Sequence, residues 1–241
     1  MKYSIIIPTL NEETLLPQLL ESLTDKNTRE NYEYEIIISD GGSTDKTLEV
    51  SQQYADKVLQ YEQSDNRNIS TGRHKGAINS SGEILIFINA DVRFNELYKY
   101  FDVIEEKYTA KYSAMTCNIR SFPENESLTD KLFSGYINLY VRSLNLLGIG
   151  MARGEFQVIR RKTYDLVGGY DLHLNAGEDF ELSTRLRRIG KILFVNELTI
   201  YESPRRYHEW GYLKIISSWF LNSMSSWIFK KSVSKKWDPV R

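Results

Sequence analysis

Three short, unbroken apolar runs constrain this chain more than anything else in it: Ile5-Ile6-Ile7, Ile36-Ile37-Ile38, and Ile84 to Ile88, which reads I-L-I-F-I. A strand with one face in water alternates apolar and polar residues. These runs do not, so both faces must be covered, as in a parallel sheet clad by helices. Between the first two runs, Leu15, Leu16, Leu19, Leu20 and Leu23 recur at the spacing of one helix face. Between the second and third, the pattern predicts a helix over Asp45 to Gln53, a short strand near Val58 and a helix from Ile69 to Asn79. Strand and helix in alternation imply βαβ units and an α/β doubly wound, mostly parallel sheet. Ligands of such sheets bind beyond the carboxyl ends of the strands. The loops after the three runs should therefore meet: Pro8-Thr9-Leu10-Asn11-Glu12-Glu13, Ser39 to Asp45, and Asn89-Ala90-Asp91.

The second half is less regular. Leu132, Phe133, Tyr136, Leu139, Tyr140, Ser143, Leu144 and Leu147 repeat at helical spacing, as a core helix or as the wall of a site for an apolar substrate. A strand is expected at Phe156 to Arg160, a turn at Val167-Gly168-Gly169-Tyr170, and a helix opening near Glu178 and closing at Gly190. At 241 residues, length suits one large domain, or one with an appendage. The single cysteine, Cys117, excludes a disulfide framework within the chain and fits a reducing compartment. The N-terminal apolar run is too short for a signal peptide, and no stretch of about 18 apolar residues predicts a membrane span.

Charge is uneven. Pro204 to Arg241 holds eight bases against two acids (+6), leaving 23 bases against 30 acids (−7) in the preceding 203 residues. The whole carries only −1, which argues against a nucleic-acid partner. All four tryptophans (Trp210, Trp219, Trp227, Trp237) lie in this basic tail. On a helical wheel of Tyr212 to Phe229, Ile216, Trp219, Phe220, Met224, Trp227 and Ile228 fall on one side and Ser218, Asn222, Ser225 and Ser226 on the other. With Lys230, Lys231, Lys235 and Lys236 behind it, this helix suits an anionic lipid interface; docking on the body or pairing in a homodimer uses the same features.

The three loops carry chemistry-bearing residues. Asp40-Gly41-Gly42-Ser43-Thr44-Asp45 between strand and helix is a tight turn in which Ser43 or Thr44 can cap the following helix, and Asp40 can accept hydrogen bonds from a base or ribose. Asp91 at the end of a wholly apolar strand needs solvent, donors or a hard cation, and Mg2+ or Mn2+ completes its shell from phosphates and water. Glu178-Asp179 opens a helix, where acids favour the helix dipole, and either can also serve as a general base at a cleft wall.

Taken in order, S-I-I-I-P-T-L-N-E-E (Ser4 to Glu13), D-G-G-S-T-D-K-T (Asp40 to Thr47), Arg73-His74-Lys75-Gly76, Ser81-Gly82-Glu83 leading into I-L-I-F-I-N-A-D, Val158-Ile159-Arg160-Arg161 with Gly168-Gly169-Tyr170, and Gly177-Glu178-Asp179 resemble the motif series of family 2 glycosyltransferases with the GT-A fold. The likeness spans roughly residues 4 to 190. It implies an inverting transfer from a nucleotide-diphosphate sugar, a UDP- or GDP-sugar, to an acceptor hydroxyl. Carried over by position, Pro8, Thr9, Leu10, Asn11 and Glu12 line the nucleotide pocket, and Asp40 meets the base with Gly42 and Ser43 near it. Arg73 supports the nucleotide or its phosphates. Asn89-Ala90-Asp91 stands in the place of the metal motif, with Asp91 holding Mn2+ or Mg2+. Asp179 deprotonates the acceptor, and Glu178 positions acceptor or donor. Asn89 departs from the usual first acid of that motif and lowers the expected metal affinity.

Glu202-Ser203-Pro204-Arg205-Arg206-Tyr207-His208 resembles a stretch in one branch of the family, assigned in part to arsenosugar biosynthesis. It offers His208 as a second metal ligand and Arg205 or Arg206 as a diphosphate clamp. The expected organisation is a GT-A domain over residues 1–203, with a nucleotide-binding half to about 110 and an acceptor-binding half from 111. Residues 204–241 close the site. The expected location is the cytoplasm, peripheral on the membrane's cytoplasmic face if the acceptor is lipid-linked. A rival reading is a membrane-surface binding module with a degenerate nucleotide-sugar pocket. Nucleotidyl transfer is disfavoured because the first loop lacks glycine, and a dinucleotide oxidoreductase because no G-x-G-x-x-G follows a strand.

Overall fold

The computed structural model describes residues 1–61 and 68–234. Lys235, Lys236, Trp237 and Arg241, part of the basic tail, lie outside the described residues. Along the chain come β1 (Tyr3–Thr9), α1 (Leu16–Leu23), α2 (Lys26–Asn31), β2 (Tyr34–Asp40), α3 (Thr47–Tyr54), β3 (Lys57–Gln60), α4 (Ile69–Ile78), β4 (Ile84–Ile88), the two-residue β5 (Val92–Arg93) and α5 (Leu97–Lys107). There follow β6 (Tyr112–Ser121), α6 (Leu128–Leu146), β7 (Phe156–Arg160), α7 (Arg161–Leu166), α8 (Glu178–Ile189), β8 (Lys191–Glu202), α9 (Arg205–Trp210) and α10 (Tyr212–Phe229).

One eight-stranded sheet runs in the order β3-β2-β1-β4-β7-β6-β8-β5. β1, β2, β3 and β4 are mutually parallel, β7 is antiparallel to both its neighbours, and β6 pairs parallel with β8. The unbroken apolar runs have the anticipated cause. Ile5, Ile7, Ile36, Ile38, Ile86 and Ile88 point into a core under α1 and α5. Ile6, Leu85 and Phe87 point the other way, under α4, α7 and α8. Each face of the sheet is buried, so neither set can be polar. On α1, Leu16, Leu19, Leu20 and Leu23 are almost fully buried, each worth about 1.5–3 kcal/mol of apolar transfer.

The expected elements in the first half and at Phe156–Arg160 and Glu178–Ile189 are present. Among the elements with little or no sequence signal are α5, β6 and β8. α5 carries apolar residues at helical spacing but among many charges. β6 reads Y-S-A-M-T-C-N-I-R-S, with small and polar residues in place of a β-branched run. β8 is straddled by charges and is held by its long ladder with β6, a pairing made across the fold. A local detail is also corrected: neither Ser43 nor Thr44 caps α3. Asp45 holds that first turn, its Oδ1 accepting from the N–H (3.0 Å) and hydroxyl (2.5 Å) of Thr47.

The largest departure is α10. Its small polar stripe packs on the body, and its apolar side is divided between a packed part and an exposed part. Asn222 and Ser226 are buried against the start of α8, where Ser226 Oγ donates to the Gly177 carbonyl at 3.1 Å. Ile215, Ile216 and Trp219 pack with Phe133, Ile137 and Val141 of α6. Leu213, Phe220, Leu221, Trp227 and Ile228 are exposed.

Candidate functional site

A cavity of about 620 Å³ opens at the carboxyl edge of the parallel strands. All three loops reach it, through Pro8, Thr9, Leu10 and Glu12, then Gly41 and Gly42, then Asn89, Ala90 and Asp91. Glu178 and Asp179 enter from the head of α8, and Arg205 and Arg206 from α9. Asp91 and Asp179, far apart in sequence, share one crevice.

Much of the first two loops is spent on holding the rim rigid. The backbone N–H of Asn11 donates to Ser43 Oγ (2.8 Å), Thr44 N–H to Asn11 Oδ1 (2.7 Å), and Glu12 N–H to Thr47 Oγ1 (2.7 Å). Asp40 is fully buried. Its Oδ1 accepts from the N–H groups of Gly42 and Ser43, and its Oδ2 from the hydroxyls of Thr9 and Ser43. The polar atoms of Asp40, Asn11 and Ser43, the residues expected at the nucleotide, brace loop on loop, and these three are not among the residues that line the cavity. The backbone of Gly41 and Gly42 is what that loop presents.

Arg73 is likewise held from within. It lines the cavity but is only 1% exposed. Its Nη1 donates to Glu178 Oε1 at 2.6 Å, and its Nη2 to Asn89 Oδ1 at 2.8 Å and to the Gly154 carbonyl at 3.1 Å. The guanidinium is thus a buried post joining α4, the end of β4, the 153–155 loop and α8. Asn89 faces this post. A cation–carboxylate pair so enclosed depends on further partners for its donors; Asn89 and Gly154 meet Nη2, while Nε is buried without a partner.

Asp179 sits beside it. Its Oδ1 accepts from the N–H of Phe180 (2.7 Å) and its Oδ2 from that of Gly154 (3.2 Å). Burial, with the neighbouring charges of Glu178 and Glu155, pushes its pKa up to about 7, against the opposing pull of Arg73. A carboxylate poised there accepts a proton near neutral pH more readily than an ordinary one.

At the opposite wall, Arg205 Nη2 lies 2.7 and 2.8 Å from the two carboxylate oxygens of Glu12 and 3.2 Å from Asp91 Oδ2. Asp91 therefore already faces a positive charge. A hard divalent cation suits the same carboxylate. Among the described residues, no group of three or more His, Cys, Asp or Glu could hold an ion alone. A metal at Asp91 would have to draw the rest of its shell from phosphates and water. His208 does not supply it. Its Nε2 stands 3.1 Å from Asp130 Oδ2 at the start of α6, and it does not line the cavity. Asp130 is wholly buried and also accepts from the Tyr212 hydroxyl (2.9 Å). His208 ties α9 to α6 instead. Arg206 does reach the cavity, over the Trp210 ring at 5.6 Å.

A third ionic group had no place in the sequence reading. Arg153, 5% exposed, pairs with Glu155 (3.2 Å) and Glu202 (3.0 Å) and covers the Trp219 ring at 5.3 Å. The Tyr207 hydroxyl donates to Glu202 as well. Burial pushes Glu202 up to about 7, with Glu155 and Asp91 adding to it and Arg153 opposing. The available signal was Arg153-Gly154-Glu155, opposite charges around a glycine before a buried strand. Glu202 ends a strand that itself had no signal. Gly154 is required by close approach: a Cβ there would stand 2.1 Å from Arg73 Nη2. The remaining wall is apolar, built by Ile137 and Val141 of α6, Met151, and Ile215, Ile216 and Trp219 of α10.

Residues 4–167 match the family model described as Glycosyl transferase family 2. The 4,4'-diaponeurosporenoate glycosyltransferase of Staphylococcus haemolyticus (strain JCSC1435) is 27% identical over 230 residues, which cover 90% of this chain and 59% of that protein. The chain thus spans about three fifths of that relative's length. Among solved structures, a mannosyltransferase, PcManGT from Pyrobaculum calidifontis in complex with GDP-Man and Mn2+, superposes with a TM-score of 0.66 at 18% identity, over 87% of this chain and 59% of its own. S. aureus TarS 1-349 in complex with UDP-GlcNAc superposes with a TM-score of 0.62 at 18% identity, over 92% and 67%. At that identity the two structures show a shared fold.

Proposed function

Because this chain belongs to glycosyl transferase family 2, we propose that it transfers a sugar, with inversion, from a nucleotide-diphosphate sugar to a hydroxyl of an acceptor with an apolar body. The observation that carries this reading is that Asp179, with its pKa pushed up to about 7, lines the same cavity as Asp91 and the glycine turn.

In this reading the acceptor oxygen attacks the anomeric carbon on the side opposite the diphosphate. The acceptor O–H proton passes to Asp179, the new C–O bond forms, and the bond from the anomeric carbon to the diphosphate oxygen breaks. Two backbone N–H groups hold the Asp179 carboxyl in place. Glu178, fixed by Arg73, stands next to it to orient a sugar hydroxyl. Positioning of this kind accounts for much of the rate of a displacement between two bound reactants. Asp91 would hold Mn2+ or Mg2+, and when bound the ion offsets charge growing on the leaving diphosphate. Arg205, freed from Asp91 and Glu12, would turn to the phosphate oxygens, which a guanidinium matches well. Arg206 is placed to assist. GDP-Man and UDP-GlcNAc in the similar structures support a nucleotide-sugar donor. The apolar wall supports an acceptor whose hydroxyl is carried on an apolar body.

The test is nucleotide release from a panel of UDP- and GDP-sugars with Mn2+, comparing wild type, Asp179→Asn and Asp91→Ala. Wild type should turn over at least one donor. Asp179→Asn should bind that donor yet lose turnover, and Asp91→Ala should lose the response to metal. No turnover of any donor by wild type, with binding retained, would replace this reading with that of a binding module.

A further inference from the structure

α6 and α10 each bury polar residues beside apolar ones and leave a ridge of apolar residues exposed. On α6, the buried side carries Asp130, Ser134 and Asn138 as well as Phe133, Ile137 and Val141, while Leu128, Leu132, Tyr136, Leu139, Leu146 and, just past its end, Leu147 stand in water, Leu146 at 87% and Leu147 at 75% exposure. A helix on an ordinary surface presents polar residues there. α10 departs in the same way. Its serine and asparagine stripe makes the closest contact with the body: a Cβ on Gly177 would meet the Asn222 carbonyl oxygen at 2.9 Å, so only glycine lets α10 lie this near α8. Its leucines, Phe220 and Trp227 face outward.

The two outward ridges are neighbours, because α6 and α10 pack on each other through Phe133, Ile137, Val141 and Ile215. Between them the cavity opens. Tyr136 and Tyr140 of α6 and Phe220 of α10 are at once cavity-lining and exposed. The charges are one-sided too. The only acid on α6 is Asp130, which is buried, and α10 has none, whereas Lys131, Lys214 and Lys231 are exposed. Apolar surface of this extent with cations around it is complementary to a bilayer carrying anionic headgroups. No helix among the described residues is long and apolar enough to cross a membrane. The face can lie on a bilayer and does not span it.

We propose that α6 and α10 together form a docking face for an anionic lipid bilayer, which seats the cavity mouth at the lipid surface. The docking stands on the two ridges. Its consequence, that the acceptor enters from the lipid phase, rests on the transferase reading.

Co-sedimentation with vesicles tests it, using phosphatidylcholine with and without about 30% phosphatidylglycerol. Two triple variants are used, L132S/L139S/L147S on the α6 ridge and L213S/L221S/I228S on α10. All six residues are exposed and none lines the cavity, so thermal stability and donor hydrolysis should match wild type. Wild type should bind the anionic vesicles, bind neutral ones less, and release in high salt. Each triple variant should bind at least about tenfold more weakly. An α6 variant that sediments like wild type, or equal binding to neutral and anionic vesicles, overturns the proposal. So does a wild-type dimer in solution that the α6 changes convert to monomer, because a second copy would then cover the face. Vesicle binding by a protein that hydrolyses no donor sinks the transferase reading and leaves the docking face; hydrolysis without vesicle binding does the reverse.

Discussion

Asp179→Asn should leave the enzyme inactive and, above neutral pH, more stable than wild type. The carboxyl holds its proton more tightly in the folded chain, with a pKa moved from 3.8 to about 7, chiefly by burial and then by Glu178 and Glu155. A group raised in this way contributes stability that is fully present below its unfolded value and is lost as pH climbs through the folded one. At 1.36 kcal/mol per pH unit, the interval bounds the loss at about 4 kcal/mol. Between pH 5 and pH 8 only about two of those units are crossed, and water reaching the cavity-facing carboxyl screens part of the effect, which leaves about 2 kcal/mol. For a chain of this size 2 kcal/mol moves Tm by roughly 4–8 °C. Scanning calorimetry at pH 5 and pH 8 on both proteins isolates the effect, because Glu202 titrates in both and largely cancels. The gap in Tm, variant minus wild type, should widen by that amount from pH 5 to pH 8, while transfer falls by about a hundredfold or more. An unchanged gap would mean that Asp179 ionises like any surface carboxyl. Its selection as the base would then lose its electrostatic ground, whatever the activity of the variant.

Other outcomes follow from the same contacts. Arg73→Met leaves Glu178 buried without its cation and should cost about 3–5 kcal/mol of stability in a denaturant titration. It should also move the acid limb of the pH–rate profile upward, since Arg73 is what holds Asp179 down; a limb that stays put would show that Arg73 does not act on the base. Gly154→Ala drives a methyl group against the Arg73 guanidinium and should cost about 1–3 kcal/mol with a marked drop in kcat; wild-type kcat would show that the 153–155 loop yields freely. For Asp91→Asn, thermal shift with UDP or GDP should show no added stabilisation from Mn2+. Wild type at about a hundred times Kd should gain about 2.7 kcal/mol. An equal gain in both proteins would place the metal elsewhere.

The layout of the sheet was legible because burial on both faces leaves a direct mark. Ile5-Ile6-Ile7 cannot alternate if Ile5 and Ile7 enter one core and Ile6 the other. The carboxyl edge followed from the handedness of the crossovers, and with it the meeting of the Pro8, Gly41 and Asp91 loops. The motif order brought out Asp91, Glu178 and Asp179. What motif residues do with their side chains was not legible. Asp40, Asn11 and Ser43 have the residue types of a binding loop, yet spend their hydrogen bonds on one another. Arg73 and His208 found carboxylates that are distant in sequence, at Glu178 and Asp130.

Sequence alone thus determined the parallel strands, the edge where they deliver their loops, and the two aspartates that line the crevice there. These are set by local pattern and by the steric rules of βαβ chirality. Only the tertiary structure decided the Arg153–Glu202 group, the length of β6 and β8, and which side of α10 turns outward. Those depend on pairings between residues far apart in the chain, where a partner across the fold outweighs local preference. A helical wheel shows that α10 has two unlike sides. It cannot show that the small polar one fits against Gly177 and leaves Phe220, Trp227 and Ile228 uncovered.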